Sequence, residues 1–368
     1  MTETLRDLGA VRRVVLKLGS TTLAAVDLDQ LIDEVQALRA GGIEVAIVTS
    51  GAVASGLARL GFTERPTDLP RIQALAAVGQ VDLMARYRAS FARHGVYCAQ
   101  ILITHEALAE RHHFLNARHT LNTLFELGVV PVVNENDTVA TEELRFGDND
   151  RLAAAIATVL DADLVVLLSD IDALYDKDPR KDPTARPIDE VPAVDERVRR
   201  SAGDAGSGVG TGGMRSKVLS AEIAVKAGIP LIIARGDDPS LIPRIIAGER
   251  IGTVFLADPH RVGSRRHWIG FLSRLKGTIT IDAGAVAALR ERGSSLLPIG
   301  ILAVRGGFEP GDGVLIEALD GEPIARGLVA YDYETLVRIC GKKTDEIAQI
   351  LERAGVDPVV HRNDMVLS

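Results

Sequence analysis

From residue 11 to about residue 256 the chain alternates short β-branched apolar runs with longer segments in which Leu, Ala, Val and Ile recur every three or four positions. The runs at 11–18, 43–49, 97–104, 129–134, 163–169, 230–234 and 253–256 predict strands. Most are apolar almost without interruption, which is the pattern of strands covered on both faces. The stretches 28–39, 71–93, 116–127, 149–160 and 214–227 predict helices by their spacing. Strand and helix in alternation predict an α/β fold built from βαβ units on a mainly parallel sheet. Two stretches break the rhythm. Residues 176–192 hold Pro179, Pro183, Pro187 and Pro192 among Asp, Lys and Arg, and predict an extended surface excursion. Residues 203–213 hold six glycines directly ahead of a helix, and predict a flexible loop.

After residue 259 the character changes. A basic segment, HRVGSRRHWIGFLSRLKG, contains the only tryptophan, Trp268, and is followed by short strand-like pieces at 278–281, 300–304, 314–317 and 324–331. The reading is a larger α/β domain over 1–260, a linker over 261–275 and a small, mostly-β domain over 276–368. A length of 368 residues suits two domains at roughly 150 residues each.

The composition, 46% hydrophobic and 25% charged, excludes wholesale disorder and a collagen-like repeat. With 42 Lys plus Arg against 50 Asp plus Glu, the net charge is -8, so no global basic field recruits nucleic acid or an anionic membrane. An anionic ligand must be held by local groups. The junction carries a basic cluster (Arg261, Arg265, Arg266, Arg274, Lys276) beside Trp268, read as a solvated linker whose tryptophan packs between domains. Residues 275–368 hold 10 basic against 14 acidic side chains, which disfavours RNA binding there. Cys98 and Cys340 form no disulfide framework and no metal spacing, which favours a reducing compartment. The opening MTETLRDLGAVRR does not look like a leader, and no run reaches the roughly 18 apolar residues of a membrane span, so the expectation is a cytoplasmic protein. His112 and His113 are adjacent and cannot form an i, i+4 metal pair; all eight histidines are read as non-catalytic.

Six motifs could carry chemistry. VVLKLGS brings Lys17, Gly19 and Ser20 to the end of a buried-type strand, the edge of an open α/β sheet where ligands sit. IVTSGAVASG places Thr49, Ser50 and Gly51 before a helix, where backbone N–H groups suit an anion. VVPVVNENDTV ends a strand in Asn134, Glu135, Asn136, Asp137 and Thr138, with a carboxylate available for an ammonium group. FGDND puts Asp148, Asn149 and Asp150 at a helix start, and LLSDIDALY ends a strand in Ser169 and Asp170. GTGGMRSK leads Thr211, Gly212, Gly213, Met214, Arg215 and Ser216 into a helix that carries Lys217 in its first turn, a design that admits polyphosphate close to the backbone. Each motif alone also has an ordinary reading: a lysine emerging from a strand, a serine cap, an Asn/Asp turn, a glycine linker. The order Gly-Lys-Ser/Thr of a Walker A loop is absent, as are the protein-kinase motifs His-Arg-Asp and Asp-Phe-Gly.

Taken in order, with AAVGQ (76–80) and FLNAR (114–118) between them and RGSSLLPIGI (292–301) and VVHRNDMV (359–366) after them, these motifs resemble the glutamate 5-kinases, amino acid kinases with a C-terminal PUA domain. The resemblance covers nearly the whole chain. Ser20 and Ser216 stand where that family often has threonine, and Ala173 where glycine is common. The resemblance implies the three-layer amino acid kinase sandwich and transfer of the γ-phosphoryl of ATP to the side-chain carboxylate of L-glutamate, the first step of proline biosynthesis. It implies Lys17 and Lys217 as the catalytic cations with Asp150 orienting both, and Ser50, Asn134, Asp137 and Asn149 as the glutamate site. It assigns the nucleotide to Lys17, Ser169, Asp170 and the run Thr211, Gly212, Gly213, Met214, Arg215, Ser216 and Lys217, with Mg2+ on the phosphates and several waters retained. It further implies a homo-oligomer, feedback by L-proline, and the next enzyme of proline synthesis as a partner. NENDTV and the C-terminal domain favour glutamate over acetylglutamate, aspartate, carbamate or a nucleoside monophosphate as acceptor.

Overall fold

The computed structural model describes residues 5–140, 149–202, 212–257, 274–351 and 358–367. The chain divides into two units, one of Met1–Ala107 with Leu115–Arg261, the other of Leu108–Phe114 with Val262–Ser368. The linker expected over 261–275, with Trp268 and most of its arginines, lies outside the described residues apart from its last two positions.

The first unit runs β1 (Arg13–Leu18), α1 (Ser20–Ala25), α2 (Leu28–Ala40), β2 (Glu44–Val48), α3 (Ala52–Leu60), α4 (Leu69–Ala92), β3 (Cys98–Ile103), α5 (His105–Ala109), α6 (Arg111–Glu126), β4 (Val130–Glu135), α7 (Asn149–Leu160) and β5 (Leu164–Ser169), except that Leu108–Phe114, the end of α5 and the start of α6, belong to the second unit. It continues through β6 (Leu174–Tyr175), β7 (Pro187–Ile188), β8 (Glu190–Val191), α8 (Glu196–Ser201), α9 (Gly212–Lys226), β9 (Leu231–Arg235), α10 (Leu241–Ile246) and β10 (Thr253–Phe255). Eight strands form one sheet in the order β3-β4-β2-β1-β5-β9-β10-β8. Pairing is parallel from β3 to β9; β10 is antiparallel to β9, and β8 is parallel to β10.

Strand alternation decides what each face of the sheet meets. Leu16 and Leu18 of β1 join Leu31, Ile32 and Val35 of α2 and Leu83, Tyr87 and Phe91 of α4 in one core. Val15 and Lys17 therefore face the opposite side, where α7 lies against β1 and β5 and α9 packs on α7. Helices thus cover both faces, the three-layer arrangement expected for the α/β unit. The chain leaves β1 toward β2 on one side and returns to it through β5 on the other, so the C-terminal ends of β1 and β5 flank a topological switch point.

The predicted strands and long helices are present, with ends shifted by up to a turn and more: the helix expected at 116–127 begins at Arg111. The helices α1, α5, α8 and α10, each of six residues or fewer, were not predicted, because a short helix shows too few turns to display its period, whereas α3 follows Gly51 where its motif placed a helix. The proline-bearing stretch 176–192 is only partly the excursion expected. Its end returns as β8, where Val191 is buried and pairs with Phe255. Arg6, itself buried, secures this edge by donating to the carbonyls of Asp189, Ile251 and Gly252.

One helix contact bears on the site. Gly56 of α3 and Gly79 of α4 let the two helices touch backbone to backbone: a Cβ at Gly79 would stand 1.9 Å from the Ala52 carbonyl oxygen and 2.2 Å from the Gly56 nitrogen. Backbone cannot yield as a side-chain tip can. Gly79→Ala is expected to destabilise the fold by about 3 kcal/mol through overpacking, read as a lower midpoint in urea; an unchanged midpoint would show that α3 moves freely.

The second unit holds β11 (Leu275–Ile281), α11 (Ala283–Arg292), β12 (Ile301–Gly306), β13 (Gly313–Ala318), β14 (Pro323–Val329), α12 (Tyr333–Ile339), α13 (Thr344–Ile350) and β15 (Val360–Leu367). Its five-stranded sheet has the order β12-β11-β13-β14-β15 and is antiparallel except between β11 and β13. Ile279, Ile281, Val314, Ile316, Ile324 and Met365 form the core with Leu289 of α11 and Leu336 of α12. The four predicted strands are found. β15 was not predicted, because His361, Arg362, Asn363 and Asp364 interrupt its apolar pattern at the sheet edge. The three helices were also missed, although α11 carries both end signals: the Asp282 side chain accepts from Ala285 N, and Gly293 closes the helix at φ +58°. Lys276, counted above in the basic cluster, is paired with Asp312 at 2.9 Å.

Candidate active site

Four parallel strands, β4, β2, β1 and β5, end side by side, and at or close to their ends stand Asn134, Ser50, Lys17 and Ser169. Above these ends lies a cleft of about 550 Å3 lined by Lys17, Ser50, Asn134, Asp137, Asn149, Asp150, Ser169, Asp170, Gly213, Ser216 and Lys217. The expected site residues therefore converge from segments up to 200 residues apart. Met214 and Arg215 stand in the first turn of α9 but outside this lining, Gly212 begins that helix, and Thr211 lies outside the described residues.

The electrostatic centre is a buried triad. Lys17, Asp150 and Lys217 are each less than one-tenth exposed. Lys17 Nζ lies 2.6 Å from Asp150 Oδ1, and Lys217 Nζ donates to Asp150 Oδ2 at 2.9 Å. The fold explains the meeting: Lys17 points from β1 toward α7, Asp150 is in the first turn of α7, and Lys217 is in the first turns of α9, which packs on α7. Burial alone would raise the Asp150 carboxyl; the two ammonium groups overcome this and hold it below the usual carboxylate range. Two cations and one anion leave a net positive charge facing the cleft.

The other wall is neutral and hydrogen-bonded. Asn149 Nδ2 donates to the Thr49 carbonyl at 2.6 Å, to Asn134 Oδ1 at 2.8 Å and to Ser50 Oγ at 3.0 Å. Asn134 Nδ2 donates to Gln80 Oε1 at 2.8 Å, and Thr49 Oγ1 shares a 2.9 Å bond with the buried Tyr87 hydroxyl. Burial pushes Tyr87 up to about 12, so it stays neutral. Asp137 stands apart from the triad. Burial pushes its carboxyl up to about 6, against the lowering effect of the Arg65 guanidinium on the same cleft wall.

The helices α1, α3, α7 and α9 begin at this cleft, and α1, α3 and α9 carry no acidic residue in the first turn. Unpaired N–H groups at helix starts make an anion site. Gly51, at φ +101°, lets the backbone turn from β2 into α3 where a side chain would be strained and would crowd Leu23. Ser20 and Ser216 both line the cleft with the hydroxyl retained. Ser169 Oγ donates to Asp170 Oδ1 at 3.1 Å, which gives hard oxygen donors near the positive centre. No cluster of three metal-ligating side chains is found among the described residues.

Arg65 and Tyr87 were not singled out, and Thr49 and Gln80 were named only within their motifs, with no role assigned. Gln80 had a signal: it is a polar residue on the buried face of α4, in line with Ala76, Leu83 and Tyr87. FLNAR proves to be structural at its end, since Arg118 pairs with Asp161 beyond the C-terminus of α7. His112 and His113 stack at 4.6 Å between ring centroids and lie outside the cleft lining. No helix among the described residues is long and apolar enough to cross a membrane.

The sequence pattern of the amino acid kinase family matches residues 12–235, and that of the PUA domain matches residues 277–351. A protein of Meiothermus ruber is 47% identical over 97% of this chain and 96% of its own length. One of Stutzerimonas stutzeri (strain A1501) is 44% identical over 97% of this chain and 98% of its own, and one of Carboxydothermus hydrogenoformans 46% over 97% and 98%. All three carry the name glutamate 5-kinase.

Proposed function

The chain belongs to the amino acid kinase family, in its glutamate 5-kinase branch, and from that premise we propose that it transfers the γ-phosphoryl group of ATP to the γ-carboxylate of L-glutamate, the first step of proline biosynthesis. The observation that carries the reading is the Lys17–Asp150–Lys217 triad at the switch point. Transfer between two anions needs positioning and neutralisation more than covalent help from the protein. One carboxylate oxygen of glutamate attacks the γ-phosphorus while the bond to the β-γ bridging oxygen breaks, giving an acyl phosphate and ADP. No general base is required, because the acceptor is ionised at neutral pH.

Lys17 and Lys217 hold the negative charge that spreads over the transferring oxygens, and Asp150 holds the two ammonium groups apart at a fixed separation. Ser50, Asn134 and Asn149 orient the amino acid, and Asp137 takes its ammonium group. Ser169, Asp170 and the start of α9 hold the nucleotide. Mg2+ fits the oxygen donors at Ser169 and Asp170 together with phosphate and water, and when bound it offsets charge on the triphosphate. By the same resemblance we expect a cytoplasmic homo-oligomer inhibited by L-proline, whose labile product is consumed by the next enzyme of the pathway.

The direct test is ADP release from Mg-ATP with L-glutamate, N-acetyl-L-glutamate, L-aspartate and uridine monophosphate in parallel, hydroxylamine trapping any acyl phosphate. Turnover with hydroxamate formation in the glutamate arm alone is expected; turnover in another arm would overturn the substrate. The Asp137 carboxyl adds a pH signature. Because its value is raised to about 6, it is half ionised at that pH, its charge is complete only well above it, and the charged fraction falls toward tenfold per unit below it. KM for glutamate is therefore expected to climb as pH falls through about 6 while KM for ATP stays level. Asp137→Asn should give a high KM for glutamate at every pH, without that rise; a profile identical to the parent would remove Asp137 from the ammonium site.

A further inference from the structure

Beneath the glutamate wall runs a chain of carboxamides whose polarity is dictated by two backbone groups. Glu135 N donates to Asn134 Oδ1 at 3.0 Å, and a backbone N–H cannot accept, so the Asn134 oxygen must face that side and its Nδ2 the other. The Thr49 carbonyl receives Asn149 Nδ2 at 2.6 Å, and a carbonyl cannot donate, so Asn149 is oriented as firmly. What remains is Asn134 Nδ2, pointing into a buried region: Asn134 is 2% exposed. It meets Gln80 Oε1 at 2.8 Å. Gln80 comes from α4, is 7% exposed and does not line the cleft. Two turns further, Tyr87 on the same face bonds the Thr49 side chain, so α4 holds the ends of both β2 and β4 from below.

We infer that Gln80 is a positioning residue: it fixes the Asn134 carboxamide, and through it Asn149 and Ser50, in the one arrangement that receives the amino acid, without touching either substrate. The inference rests on the glutamate reading given above. Without an acceptor at residue 80, Asn134 Nδ2 is a buried donor with nothing to bond. The carboxamide can relieve that only by turning, which breaks its bonds to Glu135 N and Asn149. Affinity for the amino acid should suffer; the nucleotide, held by β5 and α9, should not notice.

The test compares Gln80→Met, which keeps length and removes the acceptor, with Gln80→Glu, which keeps an acceptor oxygen at the same place. For Gln80→Met, KM for glutamate is expected to rise about tenfold or more, KM for ATP to stay within about twofold, and kcat at saturating glutamate to fall less than the ratio kcat/KM. Gln80→Glu should recover KM for glutamate to within about threefold of the parent. Equal movement of both KM values with a loss of thermal stability would mean that Gln80 only packs, and an unchanged KM for glutamate in Gln80→Met would remove it altogether. If Gln80→Met fails to fold, Gln80→Glu decides: a tenfold rise in its KM for glutamate would overturn the inference. Absence of glutamate turnover in the parent, by contrast, would overturn the activity assigned above, and that is visible before any variant is made.

Discussion

Lys217→Ala is expected to lower kcat by a factor of about 100 to 1,000, the cost of removing one preorganised charge from a transferring group. The geometry makes this a separable effect. Asp150 keeps Lys17 at 2.6 Å on its other oxygen, so the buried carboxylate is not left alone and the fold should persist. The glutamate wall lies on β2, β4 and the start of α7 rather than on α9, so KM for glutamate should stay within about threefold. Lys217→Arg should not restore the rate, because a planar fork cannot occupy the position of a compact ammonium in a site this closed. Rates and KM values for the three proteins check this. A kcat within threefold of the parent in Lys217→Ala would take Lys217 out of the catalytic machinery.

Asp150→Asn should be worse, and in a different currency. The substitution keeps the shape and removes the one negative charge between two buried ammonium groups. Breaking a buried ion pair costs about 3–5 kcal/mol because it leaves uncompensated charge behind. Here two cations are left facing one another. The midpoint in urea at pH 7 should fall accordingly. The sign with pH follows from the lowered Asp150 value: its contribution is present in full above the ordinary carboxylate pKa and is lost as pH drops through the depressed one. The parent should therefore lose this increment in acid, and the variant should not. A polyphosphate bound at the cleft supplies the missing charge, so Mg-ATP should stabilise Asp150→Asn more than it stabilises the parent. If denaturation shows equal stability for both proteins at pH 7, the triad is not the electrostatic keystone described.

How much of this was legible beforehand depended on where each residue sits. Lys17, Ser50, Asn134 and Ser169 stand at or just beyond the ends of buried strands, and Asn149, Asp150 and Lys217 at or near helix starts. Such places show in a sequence because a polar side chain there interrupts a period that the eye is following. Gln80 and Tyr87 are harder to see. They sit within the repeat of α4, where a glutamine and a tyrosine pass as amphipathic filler until their partners at 134 and 49 are known. The short helix α1, whose start helps shape the anion site, was hidden for want of turns. β8 was hidden by the prolines before it, since its reason for being a strand is the free edge of β10 and not its own two residues.

The sheet order also has a consequence for how the enzyme comes into being on the ribosome. Lys17 and Asp150 are synthesised well before Lys217, and the start of α9 follows the elements that carry the residues assigned to glutamate. A nascent chain that has emerged through β5 owns every side chain assigned to glutamate and one of the two cations, yet it lacks the second. The set of side chains assigned to the reaction is therefore complete only once α9 packs on α7 and brings Lys217 to Asp150.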